Sequence, residues 1–107
     1  MNKICTSIEQ SEKLVELGID VKKADMIYNT LDVSYVRHDT PIDKYHTPAW
    51  SLAALMELTP NDVSLLHLED VFQAVYDIKP YHITNRFNNP LDAVFEMIVW
   101  LKENGKI

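Results

Sequence analysis

NNPLDAVFEMIVWLKENG, residues 88–105, is the stretch whose reading decides the fold. Asn89 suits an N-cap, because its side-chain oxygen can accept a backbone N–H that the first helical turn leaves unpaired. Pro90 fits the first helical position, where a missing N–H costs nothing. Asp92 places a negative charge near the positive end of the helix dipole, and Gly105 can adopt the left-handed conformation that closes a helix. Between these signals Leu91, Val94, Phe95, Ile98 and Leu101 recur at helical spacing and form one apolar face. The spacing predicts a central helix over 90–103, with Val94 and Ile98 near the middle of its buried arc. Asp92, Glu96 and Glu103 form a polar stripe on the same helix. Val99 falls inside that stripe and Trp100 lies with Ala93 along its margin, where a helix serving one core normally carries polar residues. Val99 and Trp100 are therefore a candidate interaction patch, closed by a second copy or by another protein. The competing expectation is that the hairpin or the N-terminal helix covers this edge.

Two further helices are expected upstream. Ser7-Ile8-Glu9-Gln10 matches a capping box, in which Gln10 returns a hydrogen bond to the cap. The helix it opens runs through Leu17 and ends at Gly18, with Ile19 placed to pack back on the last turn. Asp20 is expected to cap a short helical turn over 21–26. Thr47-Pro48 repeats the cap-plus-proline signal, so a helix is expected over 48–58, stopped by Thr59-Pro60-Asn61-Asp62. Val33-Ser34-Tyr35-Val36 suits a short strand, and residues 37–47 read as a polar loop. Residues 61–70 fit either loop or strand. Val71–Ile78 and Tyr81–Phe87 are rich in β-branched and aromatic residues around a Lys79-Pro80 turn and are expected to form a hairpin, although VFQAVYDI alone also fits a helix. Together these signals describe an α+β fold: three main helices packed with a small antiparallel β-sheet or hairpin. It is read as a single domain, 1–107, whose helices share one core.

The 107 residues are 47% apolar, enough for a core without disulfide staples. The longest apolar runs are far too short to span a bilayer, and MNKICTSIEQSEK turns polar too early for a signal peptide. The single cysteine, Cys5, can close no internal disulfide. A cytoplasmic protein is expected. The net charge of −6 repels phosphate backbones, which argues against nucleic acid as the main partner. With glycine only at positions 18 and 105, neither a phosphate-binding loop nor a dinucleotide fingerprint can be built. No cofactor is expected.

The densest set of chemistry-bearing side chains is His38, Asp39, Asp43 and His46, next to Arg37. Imidazole and carboxylate are common ligands of divalent metals, and the His38-Asp39 pair resembles the metal-binding dipeptide of HD-type phosphohydrolases. That chemistry needs further ligands from other helices, and none is recognisably spaced here, so a solvated polar loop is the favoured reading. His67 and His82 are expected to be surface or half-buried side chains. Cys5 is expected to be a terminal free thiol, since a nucleophile needs a base and a thiolate-stabilising field. No catalytic residue is assigned.

SIEQSEKLVELGI at 7–19, Ala24-Asp25-Met26, Pro48-Ala49-Trp50-Ser51-Leu52 and PLDAVFEMIVWLKENG at 90–105 carry a resemblance. On these residues, about a third of the chain, it resembles a family of small uncharacterised proteins encoded in gut bacteria and their prophage-like elements. The resemblance implies a mobile-element origin and no activity. The function expected from the whole reading is a non-enzymatic accessory or protein-interaction domain, with a protein partner or self-association. The alternative is a small metal-dependent hydrolase using the His38–His46 cluster. An acidic nucleic-acid mimic is a third reading that rests on charge alone.

Overall fold

The protein is described by a computed structural model covering residues 3–29, 32–35 and 46–107. Chain order is helix α1 (Ile8–Glu16), a 3-10 turn (Val21–Lys23), strands β1 (Met26–Asn29), β2 (Asp32–Tyr35) and β3 (His46–Ala49), then helix α2 (Leu52–Leu58). Strands β4 (Val63–Leu68), β5 (Val71–Tyr76) and β6 (His82–Ile83) follow, and helix α3 (Pro90–Glu103) closes the chain. This is an α+β fold: three helices with two three-stranded antiparallel sheets, ordered β2-β1-β3 and β4-β5-β6.

The local signals of α1 and α3 act as their chemistry demands. Ser7 and Gln10 form the reciprocal capping box, at 3.1 and 3.0 Å. Gly18 takes φ +89°, and the N–H of Ile19 reaches back to the Leu14 carbonyl, leaving Ile19 buried. Asn89 accepts the Asp92 N–H at 2.8 Å, and Pro90 opens α3. The N-termini of α1 and α3 are then tied together through Asp92. Its Oδ1 accepts from Lys3 Nζ at 2.9 Å and from Gln10 Nε2 at 2.8 Å, while Oδ2 accepts from Asn89 Nδ2 at 2.8 Å. Burial pushes the Asp92 pKa up, but the Lys3 ammonium and the two amide donors outweigh it and hold the carboxyl below its ordinary value.

Instead of one core, α3 serves two. On one side Val94, Ile98 and Leu91 meet Leu14 of α1, Ala54 and Leu55 of α2, and the fully buried Trp50. On the other, Met97 and Leu101 meet Val63, Ala74 and Tyr76 from the β4–β5 sheet. A helix sandwiched this way needs apolar residues over most of its circumference. That accounts for Ala93 being fully buried although it borders the polar stripe.

Three expectations are corrected. The helix expected over 48–58 starts only at Leu52, because Ser51 is the real cap: its hydroxyl oxygen accepts the Ala54 N–H at 3.2 Å. Asp25 fixes that cap by accepting both the Ser51 N–H, at 2.8 Å, and the Ser51 hydroxyl. Pro48 sits instead in β3, opposite Ile27, and β3 is an outer strand of its sheet, where a proline is tolerated. The helical turn expected over 21–26 ends after Lys23, and Met26 begins β1. The main hairpin is β4–β5, closed by Glu69-Asp70; β6 adds only two residue pairs beyond a Lys79–Pro80 turn. The short strand read at 33–36 is present as β2.

Candidate interaction surface

The β4–β5–β6 sheet has two faces of unequal character. Register places Val63, Leu65, Ala74 and Tyr76 toward α3, and Ser64, Leu66, Leu68, Val71, Gln73, Val75 and Ile83 on the opposite side. An antiparallel sheet packed on one side normally alternates apolar-in with polar-out. Here the outward side is mainly aliphatic: Leu66 is 40% exposed, Leu68 44% and Ile83 57%. Leaving large aliphatic side chains in water forgoes about 1.5–3 kcal/mol each relative to full burial. A contiguous patch of this kind is more informative than single exposed leucines.

Val99 and Trp100 are both half-buried. The hairpin side of the molecule covers part of Trp100: the His82 ring stacks on its indole, centroids 4.2 Å apart and planes 3° from parallel. Tyr76 leans on the same indole at 5.6 Å. His82 and Tyr76 are register partners on the helix-facing side of the sheet, so β6 positions this cover. His67 is exposed and stacks on Phe72, with ring centroids 4.3 Å apart.

The other chemical candidates are placed as follows. His38, Asp39 and Asp43 lie outside the described residues, as does the side chain of His46, whose backbone belongs to β3. Among the described residues no three His, Cys, Asp or Glu side chains gather around a common centre. Cys5 is a free thiol, as expected, and is buried; it donates to the Tyr28 hydroxyl at 3.6 Å. Burial, helped by the Cys5 contact, pushes the Tyr28 hydroxyl up to about 12, so it stays protonated and donates to the Thr6 carbonyl at 2.9 Å. The Cys5–Tyr28 pair therefore holds the N-terminal segment against β1. Trp50 Nε1 is buried with no hydrogen-bond partner among the described residues.

Sequence reasoning missed the outward face of the hairpin. The signal was present, since Leu65-Leu66 and Leu68 break the period of two that a half-exposed strand should show. On sequence alone that break leaves 61–70 open to either loop or strand. No helix of the described residues is long and apolar enough to cross a membrane. Comparison with family models, curated proteins and solved structures finds no match.

Proposed function

We propose that the protein is a non-enzymatic interaction domain that works by binding another protein through the outward face of its β4–β5–β6 sheet. The aliphatic side chains of Leu66, Leu68, Val71, Val75 and Ile83 on that face carry the reading. Water-exposed apolar surface on this scale is a standing driving force for association. Val99 and Trp100 form a smaller second contact area on the helix side, bordered by His82. The cytoplasm is the proposed setting, where the unpaired Cys5 thiol stays reduced. A mobile-element origin is proposed from the sequence resemblance, and the gene neighbourhood tests it.

The test is capture of partners by the wild type and by a Leu66→Lys, Ile83→Lys variant, with contacts mapped by cross-linking. Both side chains point into solvent, so the variant folds with an unchanged circular dichroism spectrum. The expected result is a partner cross-linked to the sheet and lost in the variant. Retention of the same proteins by the variant, or no protein bound to the wild type, overturns the reading.

A further inference from the structure

The open edge of β4 is more specific than the apolar face beside it. The Phe72 N–H and carbonyl bond to Phe87, at 2.7 and 3.0 Å, and the Ala74 carbonyl accepts from Thr84 at 3.0 Å. In an antiparallel strand successive residues direct these groups to opposite sides, so Val71, Gln73 and Val75 are the residues of β5 that bond to β4. Their partners are Leu68, Leu66 and Ser64, and the bond from Asp77 N–H to the Asp62 carbonyl, at 3.0 Å, continues the pattern. The main-chain groups of Leu65 and His67 therefore point away from the sheet. Among the described residues nothing pairs with them.

Natural sheets protect such an edge with charge, proline or a bulge. Strand β4, VSLLHL, has neither charge nor proline, and its register with β5 runs unbroken over six pairs. Its two ends are different. Asp62 and Asp77 lie together at the start, and Glu69 and Asp70 form the turn at the far end, all four exposed. Arg86 lines one surface groove with Glu69 at that far end, and among the described residues neither Asp62 nor Asp77 forms an ion pair. A second copy, paired antiparallel about Leu66, would bring each Asp62 toward the other copy's Asp70 and set like charges together.

Resting on the interaction reading above, we propose that β4 is an augmentation site for an extended peptide segment of a partner protein. The segment is apolar at alternate positions and carries lysine or arginine where it passes Asp62 and Asp77. Main-chain hydrogen bonds from Leu65 and His67 supply affinity, and the aliphatic side chains of Leu66 and Leu68 select the alternation. The flanking carboxylates select the charge.

Titration of the isotope-labelled full chain with the synthetic peptide KKVTVTVKK, followed by amide NMR, tests this. In the free protein the Leu65 and His67 amides exchange rapidly. The peptide shifts them saturably, with a dissociation constant below about 1 mM, the weak end of the affinity scale, and slows their exchange. N-methylation of the five central peptide residues abolishes the effect. Added salt weakens binding roughly three- to tenfold, as does the peptide EEVTVTVEE, and Asp62→Asn, Asp77→Asn narrows the gap between the two peptides. The proposal is overturned by an absent shift at 2 mM peptide, by equal binding of the N-methylated peptide, or by indifference to the charge changes. It is overturned equally by a wild-type dimer whose Leu65 and His67 amides are already protected, which would make a second copy the occupant. None of these results touches partner capture by the outward face, so the two readings fail separately.

Discussion

Replacing Ile98 by alanine probes the claim that α3 is the element around which the fold is built. Ile98 is fully buried and packs in one cluster with Leu14, Trp50, Leu55 and Val94. The substitution removes three carbon groups, worth about 2.4 kcal/mol at about 0.8 kcal/mol per buried methylene. A residual cavity on the order of 50 Å³ adds about 1.2 kcal/mol at roughly 24 cal/mol per Å³. The better helix propensity of alanine returns a few tenths, which leaves a net loss of about 3 kcal/mol. Against a total stability on the order of 5–15 kcal/mol this is a large fraction. Urea melts followed by circular dichroism will show the midpoint falling with the slope unchanged. Val99→Ala, half-buried on the next position of the same helix, is the control and should lose about 1 kcal/mol or less. A loss under about 1 kcal/mol for Ile98→Ala, or equal losses for the two variants, would refute the central role assigned to α3.

Asp92→Ala should destabilise the protein by about 1–3 kcal/mol at pH 7, since it removes three side-chain bonds to a charged acceptor. Because the Asp92 carboxyl is held below its ordinary value, its contribution is present above about pH 4 and is lost as pH falls through the folded-state pKa. Wild-type and variant stabilities should therefore converge in acid melts, and a constant gap down to pH 2 would exclude the linkage. Glu69 is the only residue of the β4–β5 turn with positive φ, +54°, the pattern of a type II′ turn that favours glycine at that position. Relief of left-handed strain of about 1–2 kcal/mol exceeds the entropic cost of glycine, so Glu69→Gly should raise stability by about 0.5–1 kcal/mol in thermal melts. His82→Ala removes the ring stacked on Trp100; a loss of about 0.5–1.5 kcal/mol and a red shift in tryptophan emission are expected, with Trp50 unchanged in the core.

Helices α1 and α3 were legible because each is bounded by groups that act over a few residues. A capping oxygen, a proline at the first turn and a left-handed glycine satisfy or omit hydrogen bonds within the segment itself. Hence the bounds of α3 and the capping box of α1 follow from residues 88–105 and 7–10 alone. Their content of β-branched and aromatic residues likewise marked β2 and β5. By itself the sequence determined the α+β class, the central helix and the absence of any phosphate-binding loop.

Only the tertiary structure decided that Ser51, and not Thr47, caps α2, because that choice rests on Asp25, a carboxylate 26 residues away from the serine it holds. It also decided that α3 is buried on two sides, since the β4–β5 sheet that covers its second side is assembled by pairing between strands. The status of Trp100 followed from the same sheet: His82 reaches its ring only once β6 pairs with β5. The candidate surface was hidden for a related reason. An apolar residue in a strand reads the same whether it faces a core or solvent, and only the register of β4 against β5, with α3 behind one face, leaves Leu66 and Leu68 on the other.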